Sequence, residues 1–158
     1  MKRFLFLILI VSFNISASDE GIQQWVYNTL ERAQANLDKG NIEAAEKIYY
    51  DYANDTWSSR SYDHFVFLRT YAYFLLSFDR NEEALRYLKQ ASLKRDMPPY
   101  DIFELHFTLG QVYYVTGDRD NAKKTLLKWV EIGEKNKLDL KPEGYAILAT
   151  IYAQDEEW

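Results

Sequence analysis

One pattern recurs along this chain at a nearly constant interval, and few folds accommodate it. An apolar and aromatic stretch carries a small residue, a turn containing Gly or Asp follows, and an alanine stands five residues beyond that turn. The first copy holds Ala33, Gly40, Ala45 and Tyr49. The second holds Leu68, Tyr71, Ala72 and Leu75, then Asp79, Ala84, Leu88 and Ala91. The third holds Leu109, Gly110 and Tyr113, then Gly117, Ala122, Leu126 and Trp129, and a fourth opens with Tyr145, Leu148, Ala149 and Tyr152. Ala45 to Ala84 is 39 residues, Ala84 to Ala122 is 38, and Gly110 to Ala149 is 39. A fixed period of this size marks stacked supersecondary units that bury their apolar faces against one another.

The spacing within each copy predicts two helices joined by a tight turn. Small residues at Ala72, Gly110 and Ala149 in the first helix, matched by Ala45, Ala84 and Ala122 in the second, let two backbones approach closely. Tyr71, Leu75, Leu109, Tyr113, Leu148 and Tyr152 then fill the space between neighbouring hairpins. Breakers fall between the copies, over 54–61, 95–99 and 133–142. Pro98, Pro99 and Pro142 are excluded from helix interiors but suit a first turn, so they mark helix starts. Asp101 and Glu143 then sit in first turns, where the macrodipole favours acids. The reading is an all-α chain with units over 22–57, 61–95 and 99–134, and a partial unit over 142–158.

These residues resemble the tetratricopeptide repeat, whose ordinary period is about 34 residues; LGQVYYVTGDRDNAKKTLLKW in the third unit matches it most fully. The resemblance implies a right-handed solenoid of antiparallel helix hairpins, with about three full repeats plus a fourth first helix. Residues 22–158 further resemble periplasmic repeat proteins of TonB energy-transduction systems, through LERAQANLDKGNIEAAEK, LKRDMPP, TLGQVYYVTGDRDNAKKTLLKWVEI and GYAILATIYAQ. In such arrays the first helices line a concave groove. Carried over by position, that groove holds Tyr27, Leu30 and Gln34, then Arg69, Tyr73 and Leu76, then Phe107, Gln111 and Tyr114. Tyrosine and arginine are common interface anchors, so the groove is expected to take an extended or helical peptide segment with apolar anchors; the alternative is that Tyr27, Tyr73 and Phe107 are partly buried packing residues. The lysine and asparagine with which chaperone-binding arrays clamp a terminal carboxylate are replaced by Leu30 and Gln34. Either the sequence is a fragment of a longer array, or the last first helix is expected to leave Leu148, Ile151 and Tyr152 on an open face covered by a partner or by a second copy of the chain.

Residues 1–18 read as a secretory signal peptide, with Lys2 and Arg3 as the charged region, an apolar stretch from Phe4 to Phe13, and Ser16, Ala17 and Ser18 as the cleavage zone. Ten apolar residues are too few for a helical bilayer span, so no stable membrane segment is expected after cleavage. A domain over 19–158 and a periplasmic location follow. The chain has no cysteine, which removes disulfides, lipoprotein anchoring and thiolate chemistry. Discounting Lys2 and Arg3 leaves 17 basic against 24 acidic residues, an imbalance that repels nucleic acid and anionic lipid. The sequon at Asn54, Asp55 and Thr56 is too short a pattern to argue for a eukaryotic secretory route.

Nothing in the sequence points to catalysis, a cofactor or a metal. His64 and His106 are the only histidines; His106 stands where the repeat usually places a large packing residue, and His64 reads as solvent-facing in a first turn. No metalloprotease, nucleophile-elbow or phosphate-loop pattern occurs. Glu82 with Glu83, and Glu156 with Glu157, lack the alternating oxygen ligands of a calcium loop, and Lys123, Lys124 and Lys128 read as an outer face. The expectation is a non-enzymatic scaffold of an envelope complex, as an accessory of TonB-dependent transport. An adaptor for cell-wall or outer-membrane assembly is the alternative, and a hydrolase the third.

Overall fold

The computed structural model describes residues 21–55 and 61–156. The signal peptide, its cleavage zone, Thr56 of the sequon, Glu157 and Trp158 lie outside the described residues. The described chain forms seven helices and no strand: α1 (Gln24–Asp38), α2 (Ile42–Ala53), α3 (Ser61–Ser77), α4 (Asn81–Ser92), α5 (Pro99–Val115), α6 (Arg119–Asn136) and α7 (Pro142–Glu156). They pair as α1 with α2, α3 with α4 and α5 with α6, and α7 follows as a first helix. The architecture is an all-α helical repeat solenoid.

One turn joins each pair. Gly40 (φ 77°), Asp79 (φ 58°) and Gly117 (φ 85°) all adopt the left-handed conformation. At each, that residue's N–H donates three residues back, to Leu37, Leu76 and Tyr114, and the next N–H donates five back, to Asn36, Leu75 and Tyr113. This pair of bonds satisfies carbonyls the ending helix leaves open, and it favours glycine because a Cβ is disfavoured at positive φ. The recurring Gly or Asp of the sequence is therefore a helix stop with a fixed geometry. Asp118 then accepts a hydrogen bond from the Asn121 N–H at 3.2 Å, capping α6. Pro99 and Pro142 each open a helix.

The small residues do bring the paired helices together. Ala33, Ala45, Ala72, Ala84 and Ala122 are fully buried. A Cβ on Gly110 would fall 2.6 Å from Leu126 Cγ and 3.5 Å from the Leu126 backbone nitrogen, so α5 and α6 touch where the spacing requires. One large core runs through units one to three, from Val26 to Tyr113 and on to Ile151. A second cluster joins Phe103, Phe107, Leu126, Trp129 and Leu148. Trp129 is its centre: fully buried, it packs with Phe103 (5.5 Å between ring centroids), Phe107 (5.2 Å) and Tyr145 (5.8 Å).

Several expectations are corrected. Gly133 does not break α6, which continues to Asn136 and stops at Lys137 in the left-handed region. Its missing side chain makes room instead, since a Cβ there would lie 2.7 Å from Leu140 Cδ2 and 2.9 Å from Phe103 Cε2. Gly144 has the same role against Trp129, whose Cη2 would be 2.7 Å away. Ala149 is exposed, because no described helix lies over it. His64 is not solvent-facing: Nε2 donates to the Ala53 carbonyl at 3.0 Å, and Nδ1 lies 2.8 Å from Lys94 Nζ. Lys123 belongs to the α6–α7 joint, donating to Asp155 at 2.6 Å over the Tyr152 ring. Among the described residues no helix is long and apolar enough to cross a membrane.

Candidate functional site

The first helices lie side by side, and polar groups stitch each to the next. Between α1 and α3, Trp25 packs on Phe67 (5.9 Å), and the Gln23 N–H donates to Asp63 at 3.2 Å. Between α3 and α5, the Tyr62 hydroxyl donates to Asp101 Oδ2 at 2.9 Å and Arg69 Nη1 donates to Asp101 Oδ1. Tyr73 and Thr108 bring their hydroxyls to 3.4 Å. Ahead of α7, Lys141 donates to Glu104 at 2.7 Å while its ammonium sits 4.6 Å from the Phe107 ring centroid. The result is a continuous face across four helices whose polar groups are largely committed to one another.

Position along this face decides which expected groove residues are available. Tyr27 is exposed, and so is Gln34, which donates to Asp38 at 2.9 Å. Tyr73, Leu76, Gln111 and Tyr114 are partly exposed, with Leu76, Tyr73 and Tyr114 resting on the core. Arg69 is partly buried and ion-paired with Asp101. Leu30 and Phe107 are corrections: both are buried. Leu30 shares the α1 stripe of Val26, Thr29 and Ala33 that faces the core, and Phe107 is held between Trp129 and the Lys141 ammonium.

The open end of the array is corrected as well. Leu148 and Ile151 are only 6% and 1% exposed, because they are the side of α7 that packs back on the array. Of the expected residues only Tyr152 is uncovered, 42% exposed, alongside Tyr145 at 45% and the exposed Ala146, Ala149 and Ala153.

Electrostatics fix the central node. Burial first, and the adjacent Asp101 carboxylate second, push the Tyr62 phenol up to about 12, so it remains a donor at neutral pH. Burial opposes the Arg69 charge, but Tyr73 and Asp101 outweigh it and hold the guanidinium above its ordinary range. Tyr62, Asp101, Glu104, Thr108 and Lys141 are not among the expected groove residues, and Asp101 is expected only as a first-turn acid. A signal for the first two exists: Tyr62, Asp63 and Phe65 recur as Tyr100, Asp101 and Phe103 at an interval of 38 residues. Both aspartates are buried in the first turn of a first helix, and each accepts from the preceding unit. Among the described residues no cluster of three or more His, Asp or Glu is arranged to hold a metal ion.

Compared with solved structures, the chain is similar to PcrH from Pseudomonas aeruginosa, at 15% identity with a TM-score of 0.54, over 89% of this chain and 97% of that one. It is equally similar to PcrH in complex with the chaperone binding region of PopB, at 15% identity and a TM-score of 0.54, over 85% of this chain and 98% of that one. No family model matches the chain, and no curated protein matches it. Likeness at this identity establishes the helical repeat fold.

Proposed function

We propose that the protein is a non-enzymatic scaffold that holds an extended or helical segment of another protein along its row of first helices, in the periplasm, as an accessory of TonB-dependent transport. The observation that carries the binding role is the face itself. Tyr27, Tyr73, Gln111 and Tyr114 reach solvent from three adjacent helices, and the core beneath them is densely packed. Aromatic side chains on a rigid support bury area at little entropic cost. That PcrH, a protein of similar fold, is found in complex with a region of PopB supports the same use here. The periplasmic location rests on the charged and apolar character of residues 2–13, and the TonB assignment on the sequence resemblance over 22–158.

Capture of partners from a periplasmic extract tests the reading. Tyr27→Ala, Tyr73→Ala and Tyr114→Ala together are expected to reduce capture by at least about tenfold, the loss of about 1.4 kcal/mol of binding. Undiminished capture by a variant that retains its helical circular dichroism rejects the face as the binding site. Recovery of ExbB, ExbD or TonB supports the transport assignment, whereas recovery of wall-synthesis proteins overturns it.

A further inference from the structure

The row of first helices carries its own counter-ions. Arg69 is the only arginine or lysine in α3, α5 and α7, and Lys141, one residue before α7, is the next cation along that face. Each is matched by a carboxylate of α5: Arg69 by Asp101, and Lys141 by Glu104 at 2.7 Å. Asp101 and Glu104 are three residues apart, hence on one side of the helix. One helix thus neutralises a cation from the unit before it and a cation from the segment after it.

This pairing decides what can lie on the face. The Arg69 guanidinium is already bonded to Asp101 and stands 5.1 Å over the Phe65 ring, and the second Asp101 oxygen is taken by Tyr62. A carboxylate from a partner would have to displace Asp101 or settle beside it, placing two like charges in a partly desolvated site. The same holds at Lys141, where Glu104 and the Phe107 ring already occupy the ammonium. Across α3 and α5 the partly exposed polar remainder of the face is Tyr73, Thr108, Gln111 and Tyr114, none of which carries a charge.

Resting on the reading of this face as a peptide site, we infer that the segment it takes is anchored by apolar residues and carries no carboxylate where it crosses α3 and α5, and that Asp101 enforces this selection by keeping Arg69 paired. The probes are two capped, fluorescein-labelled peptides. One alternates leucine and tyrosine with glutamine, and in the other glutamate replaces each glutamine. By fluorescence anisotropy the protein binds the neutral peptide at least about tenfold more tightly. Asp101→Asn preserves the shape of the node and frees Arg69, so it narrows that preference by about tenfold through tighter binding of the acidic peptide. Glu104→Gln, which frees Lys141, shifts the preference in the same direction and serves if the first variant does not fold. Equal binding of both peptides by the unmodified protein, or an unchanged preference in both variants, overturns the inference. Binding of neither peptide rejects the peptide site itself. In that case phenylglyoxal modification read by mass spectrometry still judges the pairing: Arg69 reacts more slowly than the exposed Arg32 and is accelerated by Asp101→Asn, and an Arg69 as reactive as Arg32 in the unmodified protein contradicts it.

Discussion

Gly110 of α5 and Ala149 of α7 occupy the same place in successive units, 39 residues apart, and meet opposite surroundings. Gly110 is buried under Leu126, so close that it has no room for a methyl group. Ala149 is exposed, flanked by the exposed rings of Tyr145 and Tyr152. The small residue therefore encodes a surface made to receive a helix, and burial follows only where a second helix lies across it. The reverse side of α7 makes the same point: Leu148 and Ile151 are buried because α5 and α6 reach them.

The largest way to break the comparison is to remove what fixes α7 to the rest. Trp129 is fully buried between Phe103, Phe107 and Tyr145, and the bare backbone of Gly144 lies against its ring. Trp129→Ala is expected to cost about 3 to 5 kcal/mol in chemical unfolding, the ordinary range for a large core aromatic. A loss under about 1 kcal/mol would show that α7 docks by other means.

A paired substitution sharpens the comparison at the crossings themselves. Ala122→Leu adds bulk to a closed crossing and is expected to destabilise by about 1 to 3 kcal/mol. Ala149→Leu adds the same bulk to an open face and is expected to stay within about 0.5 kcal/mol of the parent. Equal effects on the melting temperature would mean that the two positions are not in different environments.

The smallest expected effect concerns His106, which takes the place in unit three that Tyr145 takes in unit four, also 39 residues apart. Burial, and to a lesser degree Lys128, lower the His106 pKa, while the bond from Nδ1 to the Ile102 carbonyl at 2.8 Å partly opposes them. The unfolded chain therefore takes up the proton first. Stability is full above the ordinary histidine value of about 6.5 and declines as pH falls below it. Urea unfolding on either side of that value should show the decline, and His106→Phe should reduce it; an identical slope in the variant would exclude His106 as its source.

Much of the fold was legible because periodicity reports local geometry. The left-handed turn at Gly40, Asp79 and Gly117 and the helix starts at Pro99 and Pro142 follow from residue chemistry within a few positions. Long-range packing was less legible. Gly133 reads as a breaker in sequence and Gly144 carries no signal there, but the meaning of both lies in Phe103, Leu140 and Trp129, residues brought near only by the fold. Leu30 and Phe107 were assigned to the groove by position in the repeat, whereas their exposure depends on neighbours in other helices. The Asp101 node was written in the repeated Tyr, Asp and Phe, yet its bond to Arg69 spans 32 residues and no local rule anticipates it.

The absence of cysteine from the chain permits the most direct measurement, thiol labelling of single-cysteine variants under native conditions. Ala72→Cys and Ala122→Cys are expected to react only through unfolding, at rates that rise with denaturant, while Ala149→Cys reacts like a free thiol without it. Rapid native labelling of Ala122→Cys, or protection of Ala149→Cys to the same degree, would contradict the stacking of hairpins through small-residue crossings.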